Sequence, residues 1–330
     1  MVAEPGAMPP EDAAMTTRRM MLGASLAAPL SCPAFAQQRA VTIVVPFAPG
    51  GSTDILSRLM AERMTAVLGS PVQVENRAGG NTIVGGEYVA RAQPDGHTIL
   101  MSSGTTLSIN PLVVPNLPYK VSDFAPISLA TTYPFAVIAQ NRGPADVAAW
   151  IAQAKARPGA MTYGTNGPTT LTNVAMLMVL EKLGITMQDV TYRGDAAALN
   201  DFVAGNLDML VVAGGTALPV RDNRQGKLLV WTAKQRMPST PEVPCTGEYA
   251  EGLEALSWFG LLAPARTPDA AVRRLHGAAV EALKDTRIRE RLLNDAQFII
   301  GNTPEEFAQF LRDQDSQWRP ILAKLNVQNN

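Results

Sequence analysis

The sequence predicts an α/β protein of two units, each a mostly parallel sheet flanked by helices. Three observations carry this. Short β-branched runs alternate with stretches of helical periodicity in the order β-α-β-α-β, the pattern of parallel strands joined by crossovers. After Pro144 the alternation restarts and runs through a second set of strands. Strand after strand ends in a loop of Gly, Ser, Thr or Asn, at the end where open α/β sheets bind their ligands.

Residues 1–36 stand apart from that fold. An acidic, Pro-rich lead reaches Arg18-Arg19, an apolar run covers residues 20–30, and Ala34-Phe35-Ala36 is a small-x-small cleavage site. This predicts a secretory signal peptide cut after Ala36, with an apolar run too short to span a membrane. Arg18-Arg19 fits a twin-arginine signal, and Sec export fits as well. Cys32 suggests a lipobox, but Pro29-Leu30-Ser31 matches one poorly, so the expected product is a soluble protein of the periplasm.

The whole chain carries 28 basic and 29 acidic residues; without the leader the counts become 26 and 26. A neutral chain without Lys/Arg clusters has no footprint for nucleic acid and no polybasic patch for anionic lipid. Cys245 becomes the only cysteine, which excludes an internal disulfide. With 46% apolar content, roughly 290 residues bury a sizeable core, best divided into two domains. No later stretch has the ~18 apolar residues of a membrane helix.

The first strand is residues 41–45. Pro46, Pro49, Gly50 and Gly51 then force a turn, Ser52 or Thr53 supplies an N-cap, and Asp54 sits in the first helical turn, where its charge suits the macrodipole. Ile55, Leu56, Leu59, Met60 and Met64 follow at helical spacing. Strand, Gly-Gly turn and helix start present unpaired N–H groups at one spot, a receptor for an anion. No Lys follows the glycines, so this is not a P-loop; G-x-G-x-x-G spacing is absent, and Ser52 lacks the second Gly of a nucleophile elbow. The turn is built for binding rather than chemistry, with Asp54 as its brace.

Residues 71–75 predict the second strand, Asn81 or Thr82 the cap of a helix to about Arg91, and residues 98–101 the third strand. Three polar loops thus fall at strand ends: 47–54, 76–82 and 102–106. Residues 124–129 and 135–140 predict two short strands separated by Tyr133-Pro134. In the second unit Pro144 opens a helix, and strands at 161–163, 189–192, 207–212 and 228–232 alternate with helices. Polar loops fall at 164–170, 193–195 and 213–216. A strand at 257–263 precedes helices from Pro268 onward, broken near Asp285 and at Gly301-Asn302, with Thr303-Pro304-Glu305-Glu306 as a helix start. Those last helices are expected to brace the first unit. The expected division is a leader at 1–36, a discontinuous first domain at 37–138 and 255–330, and a second domain at 139–254, with a cleft between them.

Chemistry has few candidates. His97 and His276 are isolated from any Cys, His or carboxylate at metal-ligand spacing, so neither a metal nor a cofactor is expected. Arg193-Gly194-Asp195 spells an adhesion tripeptide, which a turn explains better. An exported hydrolase using the same cleft remains an alternative, as does a ligand sensor feeding a signalling partner.

From Val44-Val45-Pro46-Phe47-Ala48-Pro49-Gly50-Gly51-Ser52-Thr53-Asp54 onward the chain resembles the Bug-type extracytoplasmic receptors of tripartite tricarboxylate transporters. The likeness continues through Val74-Glu75-Asn76-Arg77-Ala78-Gly79-Gly80-Asn81, Gln93-Pro94-Asp95-Gly96-His97-Thr98, Val190-Thr191-Tyr192-Arg193-Gly194, Gly205-Asn206-Leu207-Asp208 and Trp258-Phe259-Gly260-Leu261-Leu262-Ala263-Pro264. The resemblance implies a two-domain, type II-like periplasmic-binding-protein (Venus flytrap) fold. Such a receptor closes on a small organic carboxylate and delivers it to a membrane permease, without catalysis, as a monomer.

The ligand-binding residues that the loops and the resemblance together imply are Phe47, Ala48, Gly51, Ser52, Thr53 and Asp54, then Asn81 and Thr82, then Ser102, Ser103 and Thr105. From the second unit they are Thr165, Asn166, Thr169, Thr170 and Asn173, then Arg193, Gly194 and Asp195, and Gly214. The chain departs from the family pattern at Pro168-Thr169, at Leu171-Thr172-Asn173 and at Val211-Val212-Ala213, where relatives often have Phe-Asp-Asn. The acid missing at Val212 favours a plain carboxylate over an amino acid.

Overall fold

A computed structural model describes residues 39–192 and 194–325. The leader with its cleavage site and Cys32, and the predicted site residue Arg193, lie outside the described residues.

Strand β1 (Val41–Val45) leads through the Gly-Gly turn into α1 (Ser52–Leu68), followed by β2 (Val72–Asn76), α2 (Ile83–Ala90) and β3 (Thr98–Ser103). The strands pair in parallel with β1 in the middle, Val41 opposite Val72 and Thr42 opposite Thr98. Alternation explains why β1, apolar but for Thr42, buries both faces: Val41, Ile43 and Val45 join the core formed with Leu56, Met60 and Met64 of α1, while Val44 joins a second cluster with Leu100 and Trp258.

The chain does not loop at 102–106. It stays in strand to Ser103, then winds into a single π-helical stretch, Thr105–Ile109, continued by α3 (Asn110–Val113), and residues 101–110 are all buried. The two short strands expected on either side of Tyr133-Pro134 are one strand, β4 (Phe124–Ala139). Pro134 is the last residue in register with β9, at the point where the strand changes partner. Up to Pro134 it pairs with β9; from Phe135 it pairs with β7 and β8.

The second set of elements is α4 (Val147–Ala156), β5 (Thr162–Thr165), α5 (Leu171–Leu183), β6 (Gln188–Thr191), α6 (Asp195–Val203), β7 (Met209–Ala213), α7 (Gly214–Asp222) and β8 (Lys227–Trp231). Helix α4 starts at an Asp146 cap, which accepts from Ala149 N, rather than at Pro144. The chain returns through β9 (Leu256–Pro264) to α8 (Asp269–Leu283), α9 (Thr286–Asn294), β10 (Phe298–Ile299) and α10 (Pro304–Leu325). The two-residue strand β10, unmarked by periodicity, pairs with Thr131 and Thr132 of β4. Helix α8 packs on α1, and α10 on β4.

The strand order is β2-β1-β3-β9-β4-β7-β5-β6, with β8 and β10 also on β4. Each outer trio is parallel, and the joins between β3, β9, β4 and β7 are antiparallel. Direction therefore decides where the site is. Ser103, the end of β3, lies level with Phe259, which is itself opposite Thr131 of β4; Ala213, the end of β7, lies opposite Phe135. Both trios aim their carboxyl ends at the middle of β4. There Thr232 ties the two chain crossings together. Its hydroxyl accepts from Phe135 N (2.8 Å) and donates to the Ala255 carbonyl (2.7 Å), while its backbone bonds to the same two residues.

Candidate functional site

The N-cap of α1 is Gly51, in extended conformation, not Ser52 or Thr53. No side chain caps it, because Asp54 does the equivalent work from inside the first turn. Its carboxylate accepts from Gly50 N (3.0 Å), Asn76 Nδ2 (2.9 Å) and both Nε and Nη2 of Arg58, and Asn76 also donates to the Phe47 carbonyl. Burial alone would push the Asp54 carboxyl up; the bonds from Arg58, Gly50 and Asn76 outweigh it and hold it below the ordinary value. Gly50 has φ +90°, a conformation only glycine adopts freely. The turn is thus braced from behind. Gly51 and Ser52 are left half-buried, Ala48 exposed and Thr53 buried.

The start of α2 is held differently. Asn81 and Thr82 both have positive φ, an unusual pair for non-glycine residues. Asn110, on α3, secures them by donating to the Asn81 carbonyl (2.8 Å) and to Thr82 Oγ1 (3.2 Å), and Thr106 also donates to Thr82. Thr82, Ser102 and Ser103 are consequently buried among such bonds. The Asn81 amide donates both to Asn110 Oδ1 (3.3 Å) and to Thr169 Oγ1 (2.7 Å), before α5.

That contact is one of three junctions between the two sets of loops. Thr105 Oγ1 accepts from Leu171 N (3.2 Å), the first residue of α5, with Gly104 so close beneath that a Cβ there would lie 2.5 Å from Leu171 Cδ2. The third junction meets at α7. A Cβ on Gly215 would lie 2.9 Å from Ser52 Oγ and 3.0 Å from the Asp295 carboxylate, and one on Gly214 would lie 2.1 Å from the Asp295 carbonyl. Asp295 was not anticipated from the sequence; its one signal is Arg291 four residues earlier, which pairs with it at 2.8 Å. Burial pushes its carboxyl up, offset in part by Arg291.

On the α5 side, Thr170 is the N-cap, accepting from Asn173 N and donating to the Gly167 carbonyl. Asn173 is engaged by Tyr163 and the Pro168 carbonyl, Thr172 bonds Asn166, and Thr165 donates to Asp189. Asn166 then donates to Asp195 Oδ1 (3.1 Å), the first residue of α6, after Gly194 with φ +109°. Burial pushes the Asp195 carboxyl up to about 6, against the lowering effect of Asn166. The charge of Asp195 in turn adds to the effect of burial in raising the phenol of Tyr133, at mid-β4.

The starts of α1 and α7 meet at Ser52 and Gly215, those of α5 and α6 are joined through Thr172, Asn166 and Asp195, and both pairs follow strands that end at the middle of β4; such N-termini favour an anion. Both histidines are elsewhere, each bonded to a backbone carbonyl: His97 to Ala40 and His276 to Asn302. Among the described residues no group of three His, Cys, Asp or Glu could hold a metal, and no helix is long and apolar enough to cross a membrane.

Residues 56–327 match the family model described as tripartite tricarboxylate transporter family receptor. A relative from Pseudomonas sp. (strain P51), called a UPF0065 protein in the tcbD-tcbE intergenic region, is 31% identical over 97% of this chain and 98% of its own. Among solved structures, MatC from Rhodopseudomonas palustris with bound malate superposes with a TM-score of 0.81 at 28% identity, covering 86% of this chain and 99% of that one. An R. palustris protein with adipate gives 0.84 at 25% identity, over 88% and 98%.

Proposed function

This chain belongs to the tripartite tricarboxylate transporter receptor family, the Bug-type receptors its motifs resemble, and from that premise we propose that it captures a small organic carboxylate at mid-β4. The carrying observation is that strands from both units end at the middle of β4 and lead there into the starts of α1, α5, α6 and α7, paired as α1 with α7 and α5 with α6. The malate and adipate held by the two structural relatives support the ligand class.

The moving parts are residues 37–138 with 255–330 as one lobe, and residues 139–254 as the other. A ligand bridging them favours the closed arrangement by its differential affinity for it. The Asn81–Thr169, Thr105–Leu171 and Gly215–Ser52 junctions are the contacts such closure would make. A micromolar Kd, about −8 kcal/mol, is ample for uptake. The receptor acts in the periplasm as a monomer, catalyses nothing, and passes its ligand to a membrane permease.

A thermal-shift screen of the protein from Gln37 onward, against mono-, di- and tricarboxylates, tests this. A Tm that rises with the concentration of one carboxylate class is the expected result. No shift with any of them, and no carboxylate released on denaturing the purified protein, would overturn it.

A further inference from the structure

Three carboxylates stand around the meeting point of the helices, and they are not equivalent. Asp54 is saturated by Arg58, Asn76 and Gly50, and Asp295 is paired with Arg291. Asp195 has a single donor among the described residues, Asn166 on Oδ1, and none to Oδ2. It is half-buried, and its charge adds to the effect of burial in raising the phenol of Tyr133 at mid-β4. An ionised carboxylate can only accept.

We infer that Asp195 reads the far end of the bound ligand, supplying from another position the negative group missing at Val212 and so, against the expectation of a plain carboxylate, selecting carboxylates that carry a hydroxyl or ammonium donor there over dicarboxylate dianions. The inference rests on the carboxylate-receptor reading. The helix starts at α1 and α5 offer donors and suit a carboxylate; Asp195, on the first turn of α6, offers the opposite. A ligand donor would complete the Oδ2 acceptor, which no described residue fills. A second ligand carboxylate in its place would put two negative charges together in a site screened poorly by water, and repulsion of that kind discriminates as strongly as attraction. A site built around a hydrogen bond rejects the analogue that lacks the group.

The titratable groups around Asp195 are Tyr133 on β4 and Asp189 and Tyr192 on or beside β6. Asp189 accepts from Thr165, and Tyr192 donates to Asp201. Asp189, like Asp195, is raised by burial. Arg193 lies outside the described residues. Because Asp195 itself titrates at about 6, the two ligand classes have opposite pH signs. Donor-bearing ligands prefer the ionised carboxylate and weaken as pH falls; dicarboxylates prefer the protonated acid and tighten.

The test is calorimetric titration of wild type and Asp195→Asn with ω-hydroxy acids, ω-amino acids and α,ω-dicarboxylates matched in length, from about pH 8 to about pH 5. Asparagine keeps the acceptor for Asn166, and a melting curve confirms folding. Wild type at neutral pH should prefer a donor-bearing ligand by about ten- to a hundredfold, the range of a hydrogen bond to a charged group. Asp195→Asn should reduce that preference at least about tenfold and flatten both pH trends. The same preference and pH trends in both proteins would overturn the inference while leaving the receptor reading intact. No binding of any series by either protein would overturn both.

Discussion

Replacing Asp54 with Ala tests whether the binding turn is braced as the structure indicates. The substitution deletes an acceptor used by one guanidinium, one backbone amide and one side-chain amide. Buried hydrogen bonds to a charged group net ~1.5–3 kcal/mol each, but the Arg58 side chain is 53% exposed and Gly50 is exposed, so water replaces part of two of the three. The expected cost is about 2 kcal/mol, or about 3 °C in Tm for a chain of this size. The acid limb gives a second reading. The Asp54 carboxyl is held below its unfolded value, so its stabilisation is present above the ordinary carboxylate pKa and is lost as pH falls through the lower folded value. Melting curves of both proteins from neutral pH downward should therefore converge in acid. Carboxylate affinity should fall with the loss of turn geometry, measured by calorimetry at a temperature where both proteins are folded. A mutant with wild-type Tm, or one that melts lower but binds every ligand unchanged, would refute the reasoning.

Gly214→Ala would drive a Cβ into the Asp295 carbonyl, so the variant should remain open by small-angle scattering with ligand present, with apparent affinity lowered about tenfold or more as the competent fraction shrinks; normal closure would show that this contact is dispensable. Thr169→Val removes the acceptor of the Asn81 amide while leaving the positive φ of Asn81 and its bond to Asn110 in place; the lost bond is worth about 1 kcal/mol, so Kd should rise about fivefold with little change in the ligand-free Tm. An equal loss of ligand-free stability would mean the bond is also made without ligand. Asp195 has a folded pKa above its unfolded value, so its environment favours folding of the protonated form, and stability falls as pH rises through about 6. The ligand-free Asp195→Asn protein should accordingly melt higher than wild type near pH 7.5 and lose that advantage near pH 4, a comparison differential scanning fluorimetry makes directly.

The features legible in the sequence were those set by neighbours in the chain. The run from Val41 through the glycines to Met64 announces strand, turn and helix, because β-branching, missing Cβ atoms and helical spacing all act locally. Even there the cap was misplaced, since Asp54 makes a hydroxyl cap unnecessary by reaching back to Gly50. Pro134 looked like a break, and only the change of partner strands shows why it is tolerated. The polar loops were visible as loops, but not which of their groups are already engaged. Thr82 and Asn173 are occupied by Asn110, Tyr163 and the Pro168 carbonyl, partners that composition alone does not assign. Asp295 was missed because its role depends on Gly214 and Gly215, some eighty residues away in sequence, where an added Cβ would press against it.

Thr232 bears on how such a protein finds its bound shape. Because one buried hydroxyl bonds both Phe135 and Ala255, the two crossings cannot slide past each other. Two linkers free to move separately would permit many relative orientations, and most would mismatch Asn81 with Thr169 and Thr105 with Leu171. For the closure proposed above, riveted crossings would favour one axis of rotation and so leave less orientational entropy for the ligand to overcome.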